Sequence, residues 1–157
     1  MLSTKILPVF AVFSLAVAPD LYAAHCSNAS LNGTYAFSSQ GFGEVTPDIS
    51  SAGFAPFAQT GLAVYDGNGH ITSGTFTYST TTANGGSVRG TFTGTYAVNA
   101  DCSGTATTDF GDGSLFHCDL VVQSPSTYTL INTDPGALIS VYSAHRLSGE
   151  NQTVEVK

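Results

Sequence analysis

From Val88 to Val98 the chain alternates with a period of two. Val88, Gly90, Phe92, Gly94, Tyr96 and Val98 fall on one face, and Arg89, Thr91, Thr93 and Thr95 on the other. Successive side chains of a strand point to opposite faces, whereas a helix repeats every 3.6 residues, so this segment is a half-buried strand. The same threonine- and aromatic-rich texture recurs along the chain and is interrupted by Gly, Asn and Asp clusters. Asp66-Gly67-Asn68-Gly69, Asn84-Gly85-Gly86 and Gly111-Asp112-Gly113 carry residues that accept the positive φ of tight hairpins. Asp134-Pro135-Gly136 suits a turn with Pro at its second position.

Read this way, the sequence predicts eight strands, at 31–40, 57–65, 71–80, 88–98, 103–110, 115–123, 128–132 and 138–147. A long loop carrying Pro47 is expected from Gly41 to Phe54, and no helix signal follows residue 24. Short links between consecutive strands make sequence neighbours pair in space. Such a meander closes on itself or leaves two open edges, and eight strands are enough to close around side chains or one small ligand. The expected fold is therefore all-β, an eight-stranded antiparallel up-and-down barrel, with a two-sheet sandwich as the alternative. Gly90, Gly94 and Gly104 stand on the inward face beside bulky rings, which fits either a filled, tapering core or a pocket lined by aromatic residues.

Residues 1–24 have the layout of a secretory signal peptide. Lys5 gives a positive start, Ile6 to Val17 is apolar apart from Pro8 and Ser14, and small residues follow at Ala23-Ala24. The apolar run is shorter than the roughly 20 residues needed to span a bilayer. The barrel is expected at 25–147 and a polar, fraying tail at 148–157, in a secreted or periplasmic protein. Beyond the leader only Arg89, Arg146 and Lys157 are basic, and the formal net charge is −7. Such a surface repels phosphate backbones and anionic membranes, so neither nucleic acid nor a membrane is an expected partner.

Three cysteines, Cys26, Cys102 and Cys118, give one disulfide and one free thiol, or intermolecular pairing. Cys26 precedes the first strand and Cys102 lies in a turn, so both sit at strand ends and form the favoured pair. The hairpin at 111–113 would set Cys118 near Thr107, too far from Cys102 to bridge. No C-x-x-C spacing, phosphate loop, hydrolase elbow or dinucleotide fingerprint occurs, and no metal or cofactor is expected.

Leu31-Asn32-Gly33-Thr34-Tyr35-Ala36-Phe37, Tyr65-Asp66-Gly67-Asn68-Gly69, Gly94-Thr95-Tyr96-Ala97-Val98, Asp101-Cys102-Ser103-Gly104-Thr105 and Thr133-Asp134-Pro135-Gly136 together resemble a set of small exported microbial proteins of unknown function. The layout also resembles the calycin superfamily (lipocalins and avidins) and the allene oxide cyclase-type barrels. Gly33-Thr34-Tyr35 stands where lipocalins carry Gly-x-Trp, and Arg146 resembles the lipocalin arginine that packs across that ring. The resemblance implies a barrel and leaves activity open.

Three functions fit. The first is binding of a small apolar molecule within the barrel, with Tyr35, Phe37, Phe92, Tyr96, Phe116, Tyr142 and Arg146 as the expected lining. The second is a non-catalytic surface or matrix protein with a filled core. The third is a cofactor-free cyclase or isomerase of the allene oxide cyclase-like type, using inward polar groups of Tyr35, Tyr96, Tyr142 or Arg146. A cavity of at least about 300 Å³ distinguishes the first from the second. His117 and Asp119, two apart on one strand, could form an acid–base pair, but alternation turns them outward while Cys118 faces in as a small hydrophobe. Asp66-Gly67-Asn68-Gly69 resembles the start of a calcium loop without its further acidic ligand and reads as a hairpin. Apolar residues on the outer faces of the second and eighth strands, Leu62, Val64, Ile139 and Val141, suggest self-association.

Overall fold

β-Branched and aromatic residues spaced two apart form eight strands in the computed structural model, which describes residues 25–44, 54–80, 87–135 and 138–148. They are β1 (Asn32–Glu44), β2 (Phe54–Asp66), β3 (His70–Thr80), β4 (Ser87–Val98), β5 (Ser103–Asp109), β6 (Leu115–Ser124), β7 (Thr127–Asn132) and β8 (Leu138–Arg146). Each pairs antiparallel with the next, and β1 pairs with both β2 and β8, so the sheet is a closed up-and-down barrel rather than a sandwich. The expected leader, the turn at Asn84-Gly85-Gly86, the loop residue Pro47 and all but the first residue of the expected tail lie outside the described residues.

The stretch expected as a loop from Gly41 to Phe54 is shorter than that. β1 and β2 extend past the predicted ends and stay in register up to the pair Glu44–Phe54. Glycines at 41 and 43 hid this continuation, because they break the apolar alternation without breaking the ladder. β3 also departs from simple alternation. Ile71 and Gly74 both face inward because an irregularity in the β3–β4 register lies between them, and Thr72 and Ser73 are both exposed. Cys118 pairs with Ala106 and not with Thr107, one position from the expected register.

The barrel has two unlike ends. A single turn of 3₁₀ helix, Asn28–Ser30, covers the end where the chain enters β1. Leu31 inserts there with no exposed surface, Asn28 Oδ1 accepts the Val98 N–H at 2.8 Å, and the Cys26–Cys102 disulfide ties the segment to the β4–β5 turn. The disulfide is the expected pair, its Cα atoms are 4.9 Å apart, and Cys118 is free and buried. No such segment covers the opposite end among the described residues.

Three of the links are fixed by aspartates. Asp66 Oδ1 accepts the N–H groups of Asn68 and His70 at 2.7 and 3.0 Å, Asp101 Oδ1 that of Ser103 at 3.0 Å, and Asp112 Oδ1 that of Ser114 at 2.8 Å. Gly67 and Gly69, at φ of +78° and +108°, supply the backbone that the first of these turns needs. Asp66-Gly67-Asn68-Gly69 is thus a hairpin turn whose carboxylate is already used by its own backbone.

These bonds favour the charged carboxylate. The pKa values of Asp66, Asp101 and Asp112 are lowered, chiefly by the amides of His70 and Asn68, by the Ser103 hydroxyl and amide, and by the Ser114 amide, respectively. Folded pKa values below the unfolded one, about 3.9, mean stability that is fully present above that pH and lost as the pH falls through the folded values. The thermal midpoint is therefore expected to hold steady between about pH 5 and 7 and to drop below about pH 4. Asp66→Asn should flatten part of that acid limb in a pH series of thermal melts.

Candidate functional site

Inward-facing residues sort into layers along the barrel axis. The lowest layer is a floor of four tyrosines packed mostly edge to face: Tyr35–Tyr65 at 5.4 Å, Tyr35–Tyr128 at 5.3 Å, Tyr65–Tyr96 at 5.1 Å and Tyr65–Tyr128 at 5.5 Å between centroids. Burial without partners would be costly for their hydroxyls, and each has one. Tyr96 donates to the Leu31 carbonyl at 2.8 Å, Tyr35 to that of Pro125 at 3.2 Å, and Tyr65 and Tyr128 bond each other at 2.7 Å.

Above the floor the rings form a collar. Phe37, Phe92, Phe110, Phe116 and Tyr142 meet in sequence around the lumen, with centroid separations of 6.1, 6.2, 6.4, 6.1 and, back to Phe37, 6.2 Å. Phe76 packs on this collar against Phe110 at 5.4 Å. Glycines on the neighbouring strands make room for three of these rings. Phe37 pairs with Gly61, Phe92 with Gly74 and Phe76 with Gly90, and at each glycine a Cβ would run into the ring opposite. The glycine cost in a strand is offset here by the space it leaves for a phenyl ring.

Among the described residues, collar and floor enclose a cavity of about 530 Å³ that opens at the end away from the 3₁₀ turn. Its wall is aromatic and aliphatic, with Gln59, Thr108, Ser114 and the rim residue Asp112 as polar members. Among the described lining residues Asp112 is the single formal charge.

Of the residues expected to line a pocket, Phe37, Phe92, Phe116 and Tyr142 do so. Tyr35 and Tyr96 face inward too, but they lie lower, in the floor, with their hydroxyls committed to backbone carbonyls. Arg146 is at the covered end. It pairs with Tyr35 across β1–β8, and its guanidinium lies against Gly33, where a Cβ would sit 3.0 Å from Nε. Sequence reasoning passed over Tyr65, Tyr128, Phe76 and Phe110 as lining or collar residues, and over Gln59. Their alternation marks them as inward, and only their height in the barrel was illegible.

A thiol and three phenols beside the cavity are held neutral. Burial pushes the Cys118 thiol up to about 12, assisted by the negative charges of Asp134 and Asp119. The pKa values of Tyr65, Tyr128 and Tyr142 are all raised, in each case first by burial. His117 does point outward, but it finds Asp134 and not Asp119: the imidazole Nδ1–H donates to Asp134 Oδ1 at 2.7 Å, and its backbone N–H to Oδ2 at 2.8 Å. Asn132 Nδ2 adds a bond to Oδ2 at 3.1 Å. These donors, the His117 amide first, lower the Asp134 pKa, and the arrangement pins the β7–β8 turn to β6. Among the described residues no three His, Cys, Asp or Glu side chains cluster as metal ligands.

No protein-family model and no curated protein matches this chain. Two solved structures are similar in outline. One comes from the de novo design of a fluorescence-activating β-barrel, is 15% identical, covers 74% of this chain and 93% of its own, and has a TM-score of 0.45. The other is the S-type phycobiliprotein lyase of Guillardia theta, 8% identical over 78% of this chain and 92% of its own, with a TM-score of 0.39. Likeness at this level carries nothing about ligand or activity, and the barrel assignment rests on the strand ladder itself.

The glycine–ring pairs are testable as units. Gly74→Ala should lower stability by about 1–3 kcal/mol in a denaturant titration, because its methyl and the Phe92 ring compete for one volume. Adding Phe92→Leu should restore part of the loss, so that the two substitutions are markedly non-additive.

Proposed function

We propose that this chain is an exported binding protein that holds a small apolar, ring-bearing molecule in the open half of the barrel. The observation that carries the reading is the unbroken aromatic collar around a cavity of about 530 Å³. That volume falls within the range of about 300–1,000 Å³ usual for small-molecule sites, and the edge-on rings offer flat apolar faces. A filled matrix-type core would have continued the tyrosine floor upward.

Holding is better supported than proton transfer. The Cys118 thiol and the phenols of Tyr65, Tyr128 and Tyr142 remain neutral at ordinary pH, so they can donate hydrogen bonds but are poor general bases. The leader-like residues 1–24 and the Cys26–Cys102 disulfide, a bond that persists in oxidising compartments, support export. Among the described residues no helix is long and apolar enough to cross a membrane. Kinship with calycin or allene oxide cyclase-type barrels belongs to the same proposal and rests on the shared architecture and the quoted motifs.

Native mass spectrometry of protein from its own host should show a co-purifying apolar small molecule. The purified chain should also take up 1,6-diphenylhexatriene, with a rise in dye fluorescence. Ala106→Phe, which places a ring in the lumen, should weaken that uptake at least about tenfold. A chain that carries nothing and leaves the dye unbound would remove the proposal.

We also infer self-association through the outer face of β7 and β8. Ile131 stands opposite Val141 across that ladder, and the two are 47% and 56% exposed. Sedimentation velocity at rising concentration should reveal a dimer, and a monomer throughout would end the idea.

A further inference from the structure

The cavity wall is charged at one corner. Among the described lining residues there is no arginine, lysine or histidine, and the carboxylate there belongs to Asp112. Arg89 points outward from β4 opposite Thr77, and Arg146 lies at the covered end, so neither offsets that charge inside the cup. Asp112 sits in the β5–β6 link, and Phe110, Asp112, Ser114 and Phe116 of this corner all face the lumen. The link is open around the carboxylate. Gly111 and Gly113 take φ of +79° and +91°, and a Cβ on either would meet nothing within 4 Å among the described residues. Asp112 Oδ1 accepts the Ser114 N–H at 2.8 Å, and Asp109 Oδ1 that of Gly111 at 2.7 Å, so the backbone of the link fixes two carboxylates at the mouth. The Ser114 donors lower the Asp112 pKa and keep it charged at ordinary pH.

Rings stand beside this charge. Phe110 packs edge to face with Phe76, Phe92 and Phe116, at 5.4, 6.2 and 6.4 Å between centroids. The faces of such rings are the negative end of a quadrupole and attract cations. A carboxylate at the entrance of a low-dielectric cleft, with no base in the described lining, gives that entrance one sign of potential, and the formal net charge of −7 acts in the same direction. A negative group on the ligand is opposed by carboxylate and ring faces alike, and an uncharged group gains from neither. A positive group gains from both. At the rim it also keeps contact with water, so the cost of burying a charge is avoided.

We propose that Asp112, with the Phe110 and Phe116 rings, forms a subsite for an organic cation at the mouth of the barrel. The inference rests on the reading of the barrel as a ligand cup and narrows its ligand to an apolar ring system with one positive end, an amine or a quaternary ammonium. It also fixes the orientation: the ring system enters among Phe37, Phe92 and Tyr142, and the nitrogen stays at the β5–β6 corner.

The test uses one naphthalene skeleton with three endings: (2-naphthylmethyl)trimethylammonium, its uncharged isostere 2-neopentylnaphthalene, and 2-naphthylacetate. Each is titrated into the full chain and followed by naphthalene fluorescence. At low salt the cation should bind at least about tenfold more tightly than the anion, as one exposed charge contact and one cation–ring contact together allow. Asp112→Asn keeps the acceptor oxygen of the turn and removes the charge. It should lower both the cation-to-anion and the cation-to-hydrocarbon ratios several-fold. The cation-to-anion ratio of the unsubstituted chain should also shrink in about 1 M salt, where the screening length is about 3 Å. A cation that binds no better than the anion, or ratios that survive the substitution, overturns the subsite, and binding of the hydrocarbon then leaves the cup standing. Failure of all three compounds to bind overturns the cup and the subsite together.

Discussion

Everything inside this protein depends on β1 being paired on both sides. Its residues from Tyr35 to Gly43 are shared between the β2 and β8 ladders, and that double pairing turns a meander into a wall with an interior. The long β1–β2 register, held as far as Glu44 and Phe54, gives the wall its height above the tyrosine floor. A β1 ending at Gln40 would leave the Gly41–Phe57 and Phe42–Pro56 pairs unmade and the mouth of the cup lower.

Within that wall, the two halves of the lumen solve different problems. At the covered end, large side chains with polar tips fill the space, and each tip meets a partner: a backbone carbonyl for Tyr35 and Tyr96, and one another for Tyr65 and Tyr128. The N-terminal segment completes the seal by inserting Leu31 and anchoring through the disulfide. At the open end, phenyl rings lean over glycines on the adjacent strands and line the wall without filling the centre. Filled core and aromatic pocket, which the glycine-and-ring composition offered as alternatives, are both present, one above the other.

This division also gives the cup its chemical character. Burial keeps the Cys118 thiol and the Tyr142 phenol neutral, so below the rim carboxylate of Asp112 the cavity presents fixed dipoles and ring faces. Polar side chains on its wall are few: Gln59, which accepts from the Tyr142 hydroxyl, Thr108, whose Oγ1 has no partner among the described residues, and Ser114. Outside the barrel, the His117–Asp134 contact belongs to turn architecture: the carboxylate is engaged by the His117 and Asn132 donors and is remote in role from the lumen.

Strand number, antiparallel order, hairpin positions and the inward face of most strands were legible in the sequence. Each follows from local rules: a period of two, the turn chemistry of Gly and Asp, and links too short to cross over. The disulfide pair was legible too, because Cys26 and Cys102 both sit at strand ends. Height along the barrel axis was not. Alternation says that Tyr35, Phe37 and Arg146 share the inner side of β1 and β8, but it cannot say that Tyr35 is floor, Phe37 collar and Arg146 the covered end. Those levels come from the stagger between strands and from the one-step register shift after Ile71, which exist only once all eight strands are hydrogen-bonded into a ring.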